Sequence, residues 1–249
     1  MPGRTRTACP YLHDQPLPAW LVWWLPIALT AYPLALTLPA LNWEAGLDRE
    51  QGLLENLTAL LLLAALVLFL RSFSASRGTG LWRIWLLGLA CGAFFFLGEE
   101  VSWGQHYFGW QTPEPLRSLN RQGEVNLHNL RGIAGELLGH GCSAALSLAV
   151  ALGGLGGLLA RLPGARLQHF FAPWLLPPLG CAPVAALSVL VRLPRLMVED
   201  PGTLPLFYGQ AMGELKECLQ ALFILLYAIA QLRLTAACCF QEDAAACAG

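Results

Sequence analysis

The chain has 249 residues, of which 56% are hydrophobic and 12% charged, and its mean hydropathy is +0.53. Soluble domains carry about twice that share of charge, so the composition argues for a polytopic membrane protein and against a large soluble core. A formal net charge of −1 offers no basic face, which argues against a nucleic-acid partner, and eight cysteines without a C-x-x-C pair argue against a structural zinc.

The chain reads as all-α, with about six membrane-spanning helices. Residues 1–19 read as a cytoplasmic N-terminal segment, in which Arg4 and Arg6 are followed by Pro10, His13, Asp14, Pro16 and Pro18. No A-x-A site follows the first apolar run, so that run is taken as a retained helix and not a cleaved signal peptide. A span needs about 20 mostly apolar residues. Six runs qualify, 20–41, 53–70, 81–98, 133–160, 170–191 and 213–234, and they form one transmembrane domain over 20–235 with an outer loop at 111–130. The fourth run is glycine-rich and long. The fifth carries Pro173, Pro177, Pro178 and Pro183, so it kinks or starts late. Residues 236–249 read as a cytoplasmic tail holding Cys238, Cys239 and Cys247, which could be lipidated.

Loop charge sets the orientation. Arg71, Arg77 and Arg83 between spans two and three, and Arg161 and Arg166 between spans four and five, have no acid among them. Both loops are therefore expected in the cytoplasm, with both termini inside. All of the 16 acids except Asp14, Glu242 and Asp243 then fall at the outer side, so polar chemistry is expected there.

Two patterns recur. The run 38–44 matches 193–199 as L-P-x-L-x-x-E, and the helix from Glu55 matches that from Glu217 as E-x-L-x-A-L. A parallel repeat of spans one–two and five–six would pair Glu55 with Glu217 near the outer surface.

The segment "FFFLGEEVSWGQHYFGW" (94–110) sets Glu99 and Glu100 at the end of a phenylalanine run. If the helix continues through Trp110, then Glu99, Trp103, His106 and Trp110 share one face. Interface anchoring accounts for the aromatics. It does not account for two carboxylates beside Gly98, which would oppose the macrodipole at a helix C-terminus. The pair is expected to floor an outward-facing polar pocket covered by the 112–129 loop.

That loop crowds Asn120, Gln122, Glu124, Asn126, His128 and Asn129 together. On a helix Glu124 and His128 would share a face, suiting one edge of a metal site or a base oriented by a carboxylate. Asn-rich turns are the plainer account. Glu136 and His140 repeat the spacing, but a continuous helix would set Glu124 and His140 ~24 Å apart, too far to share an ion. In the last span Gln210, Glu214 and Glu217 share a face, while Lys216 is expected to point elsewhere and snorkel outward. The catalytic candidates are Glu99, Glu100, His106, Glu124 and His128. The substrate-binding candidates are Trp103, Gln105, Asn120, Gln122, Asn126, Asn129, Glu55, Glu214 and Glu217. A divalent metal ion would draw on Glu99, His106, Glu124 and His128.

The segments "GEEVSWGQHYFGWQTPE" (98–114) and "NRQGEVNLHN" (120–129) resemble an uncharacterised family of bacterial polytopic inner-membrane proteins, whose pattern is G-E-E-x-S-W-G-Q, then N-x-Q-x-E-x-N-L-H-N. The resemblance implies location and a polytopic fold, and no activity. A weaker likeness is to CAAX-type intramembrane proteases, which also use a Glu-Glu pair and helical histidines. This chain departs from them, with no arginine at Ser102–Gly104 and no clear F-x-x-x-H.

Three functions compete: a membrane-embedded hydrolase or transferase acting on a lipid-linked, glycan or envelope substrate; a proton- or cation-coupled transporter; and a non-catalytic assembly subunit. No continuous polar path is legible through the inner halves of the spans, which weighs against the transporter.

Overall fold

The computed structural model describes Leu12 and residues 15–36, 52–77, 80–127, 129–162, 170–172, 174–193 and 206–247. Among the described residues there is no strand; one isolated bridge joins Asn120 to Leu130. A π turn, Trp20–Trp24, leads into α1 (Leu25–Leu36). Then follow α2 (Leu53–Ala75), α3 (Gly80–Glu100), the short α4 (Gln105–Phe108) and α5 (Glu114–Leu119), α6 (Gly141–Leu159), α7 (Ala182–Leu190) and α8 (Leu206–Cys247).

Among the described residues, four helices are long and apolar enough to cross a membrane: Leu53–Ala75, Gly80–Glu100, Leu137–Leu159 and Met212–Cys239. The expectation of six spans is met in its coarser form, all-helical with these four, because the first and fifth apolar runs give shorter helices, Trp20–Tyr32 and Leu179–Leu190. Proline explains the fifth. Pro177 and Pro178 supply no N–H to a helix ladder, so regular helix begins only at Ala182, with Pro183 in its first turn, where the missing donor costs nothing. The last helix is longer than the 213–234 run. It continues through residues 236–247, read above as a tail, because "AACCFQEDAAAC" is alanine-rich and free of glycine and proline.

The centre of the bundle is α8. Leu215, Cys218, Leu219, Leu222, Leu226 and Ala230 on it are all buried. α2 lies parallel to it, since Phe69 meets Tyr227 edge-on at 6.3 Å and Cys239 donates to the Ala75 carbonyl. α3 runs antiparallel, stapled by Trp82 Nε1 donating to Gln231 Oε1 at 3.0 Å and Trp85 Nε1 to the Tyr227 hydroxyl at 3.0 Å. α6 is again parallel: Lys216 Nζ donates to Ser143 Oγ and Gln220 Nε2 to Ser147 Oγ, each at 2.9 Å. The non-helical 174–175 stretch is tied down by α8, as the Tyr227 hydroxyl donates to the Leu175 carbonyl and Gln231 Nε2 to that of Trp174, both at 2.8 Å. Glycine lets α6 and α7 touch: a Cβ on Gly154 would lie 2.4 Å from that of Ala185.

Glu55, at the start of α2, and Glu217 therefore lie at the same end of two parallel helices. The flanking runs 38–44 and 194–199, on which the proposed repeat also rests, lie outside the described residues.

Candidate functional site

Adjacent side chains on a helix diverge by about 100°. Glu99 and Glu100 part accordingly, one to the loop that follows and one to the bundle.

α3 stops at Glu100 and does not continue through Trp110. Ser102 (φ 45°), Trp103 (φ 54°) and Gly104 (φ 86°) are successive left-handed residues. Two of these have side chains, and such conformations cost about 1–3 kcal/mol each unless neighbours impose them. The neighbours are visible. Trp103 Nε1 donates to Glu99 Oε1 at 2.8 Å, and its ring sits edge-on to Phe94 and Phe95, both at 5.9 Å. Gly98 makes room for that ring, whose atoms would lie 2.8 Å from a Cβ there. Trp103 thus reaches Glu99 across a reversal of the backbone and not along a shared helical face. Trp110 is exposed and stacks on Phe108 at 5.2 Å. The backbone of His106 lies in α4, and its side chain is outside the description.

The loop folds on Asn120. Its Oδ1 accepts from the backbone N–H of Gln122 (2.9 Å) and Glu124 (3.2 Å), and its Nδ2 donates to the carbonyl (2.8 Å) and Oδ1 (2.9 Å) of Asn126. An asparagine that captures the N–H groups ahead of it makes a turn and competes with helix, and Gly123 at φ 73° completes the bend. Glu124 is therefore not on a helix, which removes the geometry assumed for an E-x-x-x-H pair; His128 lies outside the described residues. Instead Glu124 Oε2 accepts from Ser102 Oγ at 2.6 Å and Asn126 Nδ2 at 2.7 Å, and Asn126 Nδ2 also donates to Ser102 Oγ at 3.0 Å. Gln105 accepts from Val125 N at 2.9 Å and donates to Thr112 Oγ1 at 2.9 Å. Asn129 donates to Gln122. Glu99 Oε2 takes the Leu127 N–H at 2.7 Å. Eight of the candidates, Glu99, Trp103, Gln105, Asn120, Gln122, Glu124, Asn126 and Asn129, thus build and anchor a cap.

Glu100 faces the other way. Its carboxylate and those of Glu214 and Glu217 offer oxygens that all lie within 4.8 Å of one another, and Glu55 is within electrostatic reach. Lys216 is the missed partner. Far from snorkelling outward it is 3% exposed, donating to Glu217 Oε1 at 3.0 Å as well as to Ser143. The two bonds to α6 explain its direction: Ser143 and Ser147 repeat every four residues, as do Lys216 and Gln220, so parallel helices match them in register. That shared spacing was the signal in the sequence. Glu136 and His140 fall in a π turn, Glu136–His140, where His140 is exposed and the Glu136 side chain is outside the description.

A cavity of about 1310 Å³ opens beside this cluster, lined by α3, α6, α8 and by Phe171, Leu175, Leu176 and Pro177. Glu99, Glu100, Arg121, His140, Arg192, Lys216 and Glu217 are charged or titratable residues in its lining, and Leu146, Val150, Leu152, Phe223 and Ile224 give it apolar walls. Gly88 and Gly92 of α3 also line it, and a Cβ on either would meet nothing within 4 Å. No protein-family model, curated protein or solved structure matches the chain.

Proposed function

We propose that the chain is a membrane-embedded hydrolase or transferase acting on a lipid-linked substrate, multi-pass in a bacterial inner membrane, with both termini cytoplasmic and the cap on the outer side. The observation that carries this reading is the cavity. It exceeds the roughly 300–1,000 Å³ of common small-molecule sites, and it joins a charged end to a long apolar stretch, which is the shape and polarity of an amphiphile. Glu100 and Glu217 would supply acid–base chemistry at the head group, with Lys216 as the adjacent cation. The cap built on Glu99 would exclude water.

The test is lipid analysis of the purified protein together with turnover in native membranes. Gly92→Leu fills open space on the cavity wall and should abolish lipid retention while the fold persists. Glu100→Gln should retain the lipid and lose turnover. A wild-type protein holding no amphiphile, or a Gly92→Leu protein holding as much as wild type, would refute the assignment. Reporter fusions at Ser76 and Arg121 should report opposite compartments, with Ser76 inside.

A second reading, cation-coupled transport, is favoured by one feature. Gln220, Tyr227, Gln231 and Thr235, all buried, continue a polar row along α8 away from Glu217. Proton or cation flux in proteoliposomes would support it over the enzyme.

A further inference from the structure

We propose that Glu100, Glu214 and Glu217 bind one divalent cation of the oxygen-preferring class, magnesium, manganese or calcium, and that Lys216 occupies its place when it is absent. The inference deepens the reading of this cavity as the functional site, and rests on it for location.

Two oxygens on opposite sides of calcium, each about 2.3–2.6 Å from it, are up to about 5 Å apart, and around the smaller magnesium, at about 2.0–2.1 Å, up to about 4.2 Å. The three carboxylates, with ligand atoms all within 4.8 Å, meet the calcium limit as they stand and would close by a few tenths of an ångström on a smaller ion. Carboxylate oxygen without thiolate or imidazole suits hard cations such as magnesium, calcium and manganese. The acids alone would not define a site, because clustered carboxylates can also be held by protons. Gln220 supplies the independent observation. It lies one turn beyond Glu217, is 1% exposed and lines the same cavity. Its Nε2 donates to Ser147, and its Oε1 has no hydrogen-bond partner among the described residues. A buried amide oxygen left unpaired is unfavourable unless something positive or a donor comes to it. A hydrated cation beside Glu217 provides both. Lys216 holds Glu217 now at 3.0 Å and retains Ser143 as a second acceptor at 2.9 Å, so it can yield the carboxylate without being stranded.

The experiment titrates Mn2+ into the full-length, chelator-stripped protein in nanodiscs, read by electron paramagnetic resonance. One Mn2+ per chain should bind to wild type, and Glu100→Gln and Glu217→Gln should each weaken it by at least about tenfold. Gln220→Leu should weaken it less, and Lys216→Met should bind at least as tightly as wild type. The proposal is overturned if wild type binds no Mn2+, if the carboxamide variants bind like wild type while eluting as the same species, or if Lys216→Met abolishes binding. Should a carboxamide variant fail to fold, the Lys216→Met and Gln220→Leu titrations decide. Mn2+ binding is measured in nanodiscs without added lipid-linked substrate, and retention of the co-purified amphiphile after chelation. Loss of the first with the second intact sinks this inference alone, and the reverse sinks only the amphiphile reading.

Discussion

Replacing Gly98 by alanine should loosen the cap through a single methyl group. The new Cβ would stand 2.8 Å from Cε3 and Cζ3 of Trp103, closer than atoms tolerate. The ring has little freedom to retreat, being held by its bond to Glu99 and by Phe94 and Phe95 on its edges. Overpacking of this kind costs about 1–3 kcal/mol, and losing the bond to an ionised carboxylate about 1.5–3 more. Alanine returns about 1 kcal/mol of helix propensity. The net expectation is a loss of about 1.5–5 kcal/mol. Gly88→Ala and Gly92→Ala are internal controls on the same helix. Their added Cβ atoms meet nothing within 4 Å, so each should be neutral or stabilising by up to about 1 kcal/mol. Detergent-mixture unfolding followed by circular dichroism gives the stabilities, and hydrogen exchange at the Leu127 amide reports the cap. Equal stability of the Gly98→Ala and Gly92→Ala proteins, or unchanged protection of Leu127, would refute the clamp.

Asn126→Ala removes a buried side chain that donates to Ser102 and Glu124 and accepts from Asn120; about 2–4 kcal/mol of local stability should go with it, read as faster proteolysis within residues 121–127 without loss of the helical signal. Gln231→Leu strips the acceptor from Trp82 Nε1 and the donor from the Trp174 carbonyl. It should lower global stability by about 2–4 kcal/mol, seen as a lower unfolding midpoint.

The helical class and the long spans were legible because runs such as 53–75 are leucine-rich and uninterrupted, and period and length suffice to read them. The late start of the fifth run was legible for a different reason, since proline acts locally. The division of labour within the signature motif was not. Glu99 and Glu100 line one cavity with Arg121, Leu127 and Asn129 of the loop, but a helix sends neighbours in different directions, so Glu99 bonds Trp103 and Leu127 while Glu100 meets Glu214 and Glu217. The break after Glu100 was hidden because Ser102 and Trp103 adopt a left-handed backbone that their residue types disfavour. Only the tertiary clamp on Trp103 selects it. Likewise, Glu124 and His128 carry the spacing of a helical pair, but Asn120 takes the N–H groups of Gln122 and Glu124 for a turn. Lys216 was misread because its direction is set by Ser143, 73 residues away, and a single helix shows nothing of its partner.

Glu99 and Glu100 also share one rigid peptide unit, and this makes the end of α3 a crank. Glu99 grips the Leu127 amide at 2.7 Å, while Glu100 meets Glu214 and Glu217. A rotation of the helix end carries the Cα–Cβ bonds of both residues through the same angle, so a load on Glu100 reaches the Leu127 amide to the extent that side-chain torsions do not absorb it. Reciprocity follows from thermodynamics: to the extent that occupancy at Glu100 alters how readily the cap lifts, lifting the cap alters affinity at Glu100 by the same factor. The Leu127 bond and the carboxylate cluster are therefore coupled through the end of one helix.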